Sequence, residues 1–244
     1  MAGVRIHAIR LADVVATIEA WITGARKDFI VLTGAHGVVE MQSDRELLDI
    51  NNRAGLTTPD GMPIVWLGRL SGHANIEKVY APDIMNETFR FGLTRGYRHF
   101  FYGGAEGVAD ELRHRLTARY PGIQVVGTYC PPFRALDDGE IEAIAATIND
   151  AGPHIVWVGI GCPKQERWMQ RFRPLLAAPV LIGVGAGFDF LSGRKPLAPR
   201  WIQTSGFEWL YRMMSEPRRL WPRYSRVVPL FLYLVLRDRL ARRR

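Results

Sequence analysis

Residues 155–172, IVWVGIGCPKQERWMQRF, run from a short apolar stretch through a glycine turn into a helical pattern. The same order recurs along the chain, with apolar runs at 29–32, 99–102, 123–126 and 180–184 and helical patterns at 38–51, 108–120 and 137–150. Strands that alternate with helices are typical of a parallel sheet with crossover helices. The sequence therefore predicts an α/β fold, a Rossmann-like parallel sheet flanked by helices.

The composition is that of an ordinary globular protein, with 244 residues, 48% hydrophobic and 23% charged. The two cysteines, Cys130 and Cys162, lie far apart and have no second Cys or His at metal-binding spacing. This pattern disfavours a disulfide framework and a structural zinc site, and it fits a reducing cytosol. Residues 1–21 mix charged side chains into the apolar ones, so we expect no secretory signal and a cytoplasmic protein.

The positive charge lies at one end of the sequence. Residues 212–244 contain ten arginines and two acidic residues, a charge of +8 that equals the net charge of the whole chain. After Arg200 the pattern changes to aromatic and basic residues, interrupted by prolines at 217, 222 and 229. We predict an α/β domain over 1–200 and a helical appendage over 201–244 that meets a negatively charged partner.

The apolar run 227–236 of this appendage is ten residues long and contains Pro229. A helix that spans a bilayer needs about 20 apolar residues. Aromatic and basic side chains together favour the surface of an anionic membrane, whereas the final arginines, 242–244, are expected to be solvated. We therefore predict that the appendage lies on a membrane without crossing it.

Glycines follow the apolar run 99–102, at the point where a parallel sheet binds its ligands. Gly103 and Gly104 precede a helix, so backbone amides there are candidates for binding a phosphate. The next strand ends without the acidic residue that a nicotinamide dinucleotide needs, which favours a mononucleotide or a nucleotide sugar. The alternative is that both glycines only allow close packing of helix and strand.

Two further segments follow predicted strands. Lys164, Gln165 and Glu166 begin a helix, where an anion such as a diphosphate is favoured, unless they form only a charged first turn. Asp189 follows the run 180–184 and is a candidate for binding sugar or ribose hydroxyls, or else a cap. Both segments belong to the predicted ligand-binding edge.

Asp60 lies in a Pro-Asp-Gly turn. Such a turn is often purely structural, but a loop carboxylate near a strand end can also take the proton from an attacking sugar hydroxyl. The chain has no Asp-x-Asp pair and its six histidines are scattered, so we expect no metal and no cofactor. Amides, lysines or arginines must then stabilise a leaving diphosphate, and the appendage is rich in arginine.

Several motifs occur in a specific order: Thr33, Thr58–Gly61, Tyr102–Gly104, Tyr120–Gly122, Gly159–Glu166, Gly183–Asp189 and Phe207–Arg212. This set, from about residue 29 to 224, closely resembles the WecG/TagA/CpsF family, glycosyltransferase family 26. The resemblance implies an inverting, metal-independent transfer from a UDP-sugar to an undecaprenyl-diphosphate-linked sugar. It also implies a place at the inner face of the plasma membrane, in polysaccharide biosynthesis.

The resemblance also implies roles for individual residues. Asp60 matches the catalytic base of the family, Thr33 its partner in the donor pocket, and Gln165 a pocket glutamine. The C-terminal appendage of the family is thought to cover the active site at the membrane and to offer arginines to the diphosphate lipid. The candidates for that role are Arg212, Arg219 and Arg223.

The sequence departs from the family at two places. The family usually has Asn two positions after the threonine, where this chain has Ala35, and many members have Gly where this chain has Ala81. The pattern is similar to that of exopolysaccharide-type members, so the predicted donor carries glucuronic acid, glucose or N-acetylmannosamine.

Two alternatives come from other classes of protein. The basic tail, with its aromatic residues, is also a pattern for binding nucleic acid, and the glycine loops fit a nucleotide-binding domain without catalysis. We favour the glycosyltransferase and expect no nucleic acid partner. Whether the chain forms a homo-oligomer stays open.

Overall fold

The computed structural model describes residues 1–241, the side chains of Arg239 and Ala241 excepted. Its centre is a six-stranded, fully parallel sheet with the strand order β2-β1-β6-β5-β3-β4. The strands are β1 Asp28–Thr33, β2 Leu56–Pro59, β3 Arg98–Gly103, β4 Gln124–Tyr129, β5 Ile155–Gly159 and β6 Val180–Gly183. The predicted Rossmann-like fold class is confirmed.

Helices cover both faces of this sheet. Helices α1, α5 and α6 pack on one face, and α3, α7 and α8 on the other. The helices of residues 1–199 are α1 Leu11–Thr23, α2 Ala35–Glu40, α3 Arg45–Arg53, α4 Met62–Leu70, α5 Ala81–Gly92, α6 Val108–Arg119, α7 Asp138–Ala151, α8 Lys164–Phe172 and α9 Gly187–Leu191. A sheet covered on both faces explains why its central strands are apolar throughout.

The core is densest at β5, where residues 155–158 are all fully buried. Phe89 of α5 packs with its edge toward the Trp157 ring, with ring centroids 5.4 Å apart. The Trp157 indole donates to Nδ1 of His99 on β3, at 3.2 Å. Burial lowers the pKa of His99 to about 3, so this histidine is neutral at pH 7 and is part of the buried core.

The prediction of one helix over residues 38–51 is wrong. The stretch is divided, because Asp44 caps the start of α3 by accepting a hydrogen bond from the Leu47 amide at 3.0 Å. Residues 56–59, for which the sequence predicted no strand, form β2. This strand is short and contains Pro59, which is tolerated because β2 lies at the edge of the sheet.

The chain leaves the neighbouring strands β3 and β5 in opposite directions. From β3 it passes through α6 to β4, whereas from β5 it passes through α8 to β6. In a parallel sheet such a reversal opens a crevice at the carboxyl ends of the two strands. The glycines that follow β3 and β5 therefore lie where a ligand is expected.

The C-terminal part is helical, as predicted: α10 Arg200–Ser205, α11 Glu208–Ser215 and α12 Pro217–Ala241. Of the expected interruptions by prolines, the one at 217 is confirmed, because α12 begins there, and those at Pro222 and Pro229 are wrong, because α12 continues through both. An interior proline costs about 3 kcal/mol. Burial of three side chains of α12, Val227, Phe231 and Leu234, against a cluster that includes α2 contributes roughly 5–9 kcal/mol, which offsets both prolines.

Helix α12 thus shares a core with the N-terminal half of the chain, and the domain boundary at residue 200 stays a prediction. Within residues 1–241, no helix has the length and apolar character that a membrane span requires. The arginines at 242–244 lie outside the described residues.

Candidate active site

Asp60 lies directly after β2, beside the end of β1. Its amide donates to the carbonyl oxygen of Thr33 at 3.1 Å. A Cβ atom on Gly34 would lie 2.9 Å from the Asp60 carbonyl oxygen, so glycine permits this close approach. The structure therefore brings Thr33 and Asp60 together at the carboxyl edge of the sheet.

Two further segments surround Asp60. The residues before α5 lie along the end of β2, where the Val79 amide donates to the Pro59 carbonyl oxygen at 2.8 Å. This contact places Lys78 and Tyr80 beside the site, with the Lys78 ammonium 4.2 Å from the centre of the Tyr80 ring. From the other side, α11 contributes Glu208, which forms an ion pair with Lys78.

The Asp60 carboxyl has a higher pKa than an ordinary aspartate. Burial, and then the negative charge of Glu208, raise its pKa to about 6, while the positive charges of Lys78 and Arg212 act in the opposite direction. The residue keeps some accessible surface. A carboxylate with a pKa near 6 is mostly ionised at pH 7 and is a stronger proton acceptor than an ordinary aspartate.

The Thr33 side chain is engaged elsewhere. It is buried, and its hydroxyl donates to Oδ1 of Asn51 at 2.7 Å. The Asn51 amide in turn donates to the Arg5 carbonyl oxygen at 3.0 Å. Thr33 therefore contacts Asp60 through its backbone, while its hydroxyl ties β1 to α3.

A cleft of about 790 Å³ opens at the reversal point between β3 and β5. Four predicted site residues line it: Gly104, Lys164, Asp189 and Arg219. Gly103, with φ +116°, lies beneath, and a Cβ atom there would be 2.7 Å from the Gly159 carbonyl carbon. The cleft thus collects residues from the ends of β3, β5 and β6 and from α12.

The groups in the cleft differ in their freedom to bind an anion. The Gly104 amide donates to the Gly159 carbonyl oxygen at 3.0 Å, so it does not point at a phosphate as the sequence suggested. Lys164 is exposed and forms no ion pair within residues 1–241. Asp189 pairs with Lys195 at 2.8 Å, and Lys195 approaches Glu216 at 3.4 Å. Lys164 is therefore the cation best placed to receive a phosphate.

Gln165 and Glu166 are buried, in contrast to Lys164. Oε1 of Gln165 accepts from the Gly185 amide at 2.9 Å, and its Nε2 donates to Oε1 of Glu166 at 3.1 Å. These contacts hold the loop after β6 against α8. Neither side chain lines the cleft, so their predicted role in binding substrate is indirect in this structure.

The three predicted arginines lie at different places along the carboxyl edge of the sheet. Arg212 on α11 influences Asp60, and its guanidinium carbon lies 5.3 Å from the centre of the Phe190 ring. Arg219 on α12 lines the cleft and pairs with Glu216 at 2.6 Å. Arg223, one turn farther, is exposed. The appendage therefore spans both the Asp60 region and the cleft.

Sequence reasoning missed four residues of this region: Lys78, Tyr80, Glu208 and Asn51. Glu208 stands inside a segment that carried the family resemblance, which was the available signal for it, whereas Tyr80 stands in the segment 79–83 that departs from the family pattern. Among residues 1–241 no group of three or more His, Cys, Asp or Glu side chains is arranged to hold a metal ion. Metal independence stays a prediction.

Comparison with known proteins gives a coherent result. A model of the "Glycosyl transferase WecG/TagA/CpsF family" matches residues 1–244. An N-acetylglucosaminyldiphosphoundecaprenol N-acetyl-beta-D-mannosaminyltransferase of Bacillus subtilis strain 168 is 28% identical over 80% of this chain and 73% of its own length. Proteins of the same name from Bacillus spizizenii and Staphylococcus aureus strain MW2 are 27% and 24% identical, over 95% and 85% of this chain and 88% and 79% of their own lengths.

Proposed function

The chain belongs to the WecG/TagA/CpsF family of glycosyltransferases, and on this premise we propose that it transfers a sugar from a UDP-sugar to an undecaprenyl-diphosphate-linked glycan. The observation that carries the proposal is the partly accessible Asp60 carboxyl, with its raised pKa, at the edge of the sheet that also bears the cleft. A carboxylate base and a nucleotide-sized cleft on the same edge of the sheet suit the transfer of a sugar from a nucleotide to a hydroxyl group.

The geometry suggests how the donor lies. Asp60 follows β2, and the cleft lies between β5 and β3, three to four strand spacings away. At about 4.8 Å per spacing this distance is roughly 14–19 Å. We infer that the nucleoside occupies the cleft, that the diphosphate passes over Lys164 and Arg219, and that the sugar reaches Asp60.

Transfer then proceeds as a single displacement. The Asp60 carboxylate takes the proton of the acceptor hydroxyl while that oxygen attacks the anomeric carbon. The bond from this carbon to the diphosphate breaks on the opposite face, so the configuration inverts and UDP leaves with the electron pair. Lys164 and Arg219 offer positive charge to the departing diphosphate, which supports a reaction without a metal ion.

Two observations limit the candidate donor sugars: the names of the relatives and the departures from the family pattern. The relatives named above carry N-acetylmannosaminyltransferase names. In this chain the segment 79–83 differs from the common family pattern, and its Tyr80 lies beside Lys78 and Glu208. We therefore propose glucuronic acid, glucose or N-acetylmannosamine as donor sugars, in exopolysaccharide synthesis.

The test is transfer from a panel of labelled UDP-sugars to lipid-linked acceptors, with a chelator present. We expect label from one donor to enter the lipid fraction, with the anomeric configuration inverted. No transfer from any of the three donors to any undecaprenyl-diphosphate-linked acceptor would contradict the proposal. Activity that disappears with chelator and returns with Mg²⁺ would contradict its metal independence alone.

We also propose that α12 holds the enzyme on the inner face of the plasma membrane. At 100° per residue, the exposed Trp221, Leu232, Leu236 and Tyr233 fall within about 120° of the helix, and the buried Val227, Phe231 and Leu234 lie on the other side. This second apolar face does not pack in the core, and Arg219, Arg226 and Arg237 lie along one of its edges, which is typical of a helix at an anionic bilayer surface.

Vesicle sedimentation tests this surface. The wild type is expected to sediment with vesicles of anionic phosphatidylglycerol at low salt. Replacement of Trp221, Leu232 and Leu236 by Gln should weaken binding roughly 1,000-fold or more, because each side chain that enters the membrane contributes about 1.5 kcal/mol or more. The control is Leu175→Gln, an exposed apolar residue outside α12. A wild type that stays in the supernatant would exclude the membrane role.

A further inference from the structure

Lys78 and Glu208 form an ion pair that is nearly enclosed by protein. Their side chains are only 10% and 15% exposed, although 130 residues separate them in the sequence. The Lys78 ammonium also donates to the carbonyl oxygen of Gln203 on α10, at 3.4 Å. Lys78, which precedes α5, therefore contacts both α10 and α11 of the appendage.

The residues that contact Glu208 belong to a segment that is fixed to the sheet. Lys78 and Tyr80 are two residues apart in an extended segment, so their side chains point to the same side. The backbone bond between Val79 and Pro59 fixes this segment to β2. The Lys78 ammonium binds the Glu208 carboxylate directly, and the same carboxylate lies near enough to the Tyr80 hydroxyl to raise its pKa.

Glu208 shares helix α11 with Arg212. Residues 208 and 212 are four apart and share one face of the helix. The Arg212 Nε atom is buried and has no hydrogen-bond partner within the described residues, which leaves a donor available near Asp60. A rotation or shift of α11 would move Glu208 and Arg212 together.

From these contacts we propose that Glu208 is a positioning residue, held by Lys78 and Tyr80, which docks the appendage beside Asp60 and places a negative charge next to the proposed base. Buried ion pairs add little net stability compared with apolar residues of the same size, whereas loss of one partner is costly. A role in orientation explains the pair better than a role in stability. This inference rests on the proposed transferase function.

The charged and titratable groups that act on Asp60 come from three elements. The segment before α5 gives Lys78 and Tyr80, α11 gives Glu208 and Arg212, and α12 gives Tyr224. Glu208 raises the pKa of Asp60, and the two cations lower it. Since the base must be ionised, transfer by the wild type is expected to fall as the pH drops through about 6.

Glu208→Gln tests the proposal through the pH profile of kcat/KM. Removal of the negative charge should lower the pKa of Asp60, so the acid limb is expected to move to lower pH by roughly 0.5–1 unit. The maximal rate should fall roughly 10-fold or more, because α11, which carries Arg212, is then less firmly docked beside Asp60. A residue with a merely structural role would reduce the rate without moving the acid limb.

The matched control is Glu87→Gln, which removes an exposed carboxylate that pairs with Arg90 on α5. It should leave rate and profile unchanged. A Glu208→Gln enzyme with a normal melting temperature and an unmoved acid limb would overturn the proposal. The proposed function itself fails only if the wild type transfers no sugar.

A second measurement does not depend on turnover. Lys78→Met leaves Glu208 without its cation and removes the hydrogen bond between Lys78 and Gln203 of α10. Limited proteolysis should therefore cut within 200–217 at least about 10-fold faster than in the wild type. Lys78→Arg, which keeps the charge, should restore most of the protection. Equal cleavage of Lys78→Met and wild type would show that the pair does not dock the appendage.

Discussion

Replacement of Asp60 by Asn is expected to lower kcat of sugar transfer about 1,000-fold, because a positioned general base contributes 10²–10⁴-fold. The amide has nearly the same shape but accepts no proton at neutral pH. The loss should appear in kcat at saturating donor, and the affinity for UDP, measured by calorimetry, should stay within about threefold of the wild type. The cleft that we assign to the nucleoside lies several strands away from Asp60.

The control for this variant is Asp49→Asn. Asp49 is an exposed carboxylate on α3 with no ion pair in the described part of the chain. It should retain full activity. If Asp60→Asn keeps more than about a tenth of the wild-type kcat, proton removal is not the main contribution of this residue, and positioning with leaving-group stabilisation must account for the rate.

The strands that the sequence predicted well are those with a long apolar run. Residues 155–158 and 180–183 are central and buried on both faces, so their composition alone identifies them. Strand β2 escaped notice because it has four residues, two of them threonine and one proline. What makes it a strand is its pairing with β1 and not its own propensity.

The candidate site divides in a similar way. The family resemblance pointed to Asp60, and the turn after β2 explains why that carboxyl lies at the edge of the sheet. The partnership of Lys78 with Glu208 was not predictable, because charge pairs between distant segments leave no local pattern. Gln165 is a different case, since its place in a helix first turn and the family resemblance predicted a substrate-binding residue, whereas its side chain is hydrogen-bonded to the Gly185 amide, and the binding role stays a prediction.

The appendage connects the two parts of the site, the Asp60 region and the cleft between β3 and β5. Helix α11 brings Glu208 and Arg212 to Asp60, and α12 brings Arg219 to the cleft. Arg219 and Lys195 meet at Glu216, at the junction of the two helices. A ligand in the cleft that attracts Arg219 therefore competes with Glu216 for it, and this links occupancy of the cleft to the position of the appendage.

Gly103→Ala is expected to destabilise the protein by about 3 kcal/mol or more. The residue has φ +116°, where a side chain is strained, and its new Cβ would lie 2.7 Å from the Gly159 carbonyl carbon and 2.8 Å from Cγ2 of Ile160. Relief of this overlap requires β3 and β5 to separate at their carboxyl ends, which would also distort the floor of the cleft.

Gly122→Ala separates the effect of backbone strain from the effect of steric overlap. Gly122 has φ +91° in the turn before β4, and a Cβ atom there meets nothing within 4 Å. This control should lose only the strain of about 1–2 kcal/mol. Urea unfolding of both variants measures the difference, and equal losses would mean that β3 and β5 are not in tight contact at Gly103. A clear excess for Gly103→Ala, with a lower affinity for UDP in the folded protein, would support the cleft between these strands as the nucleotide site.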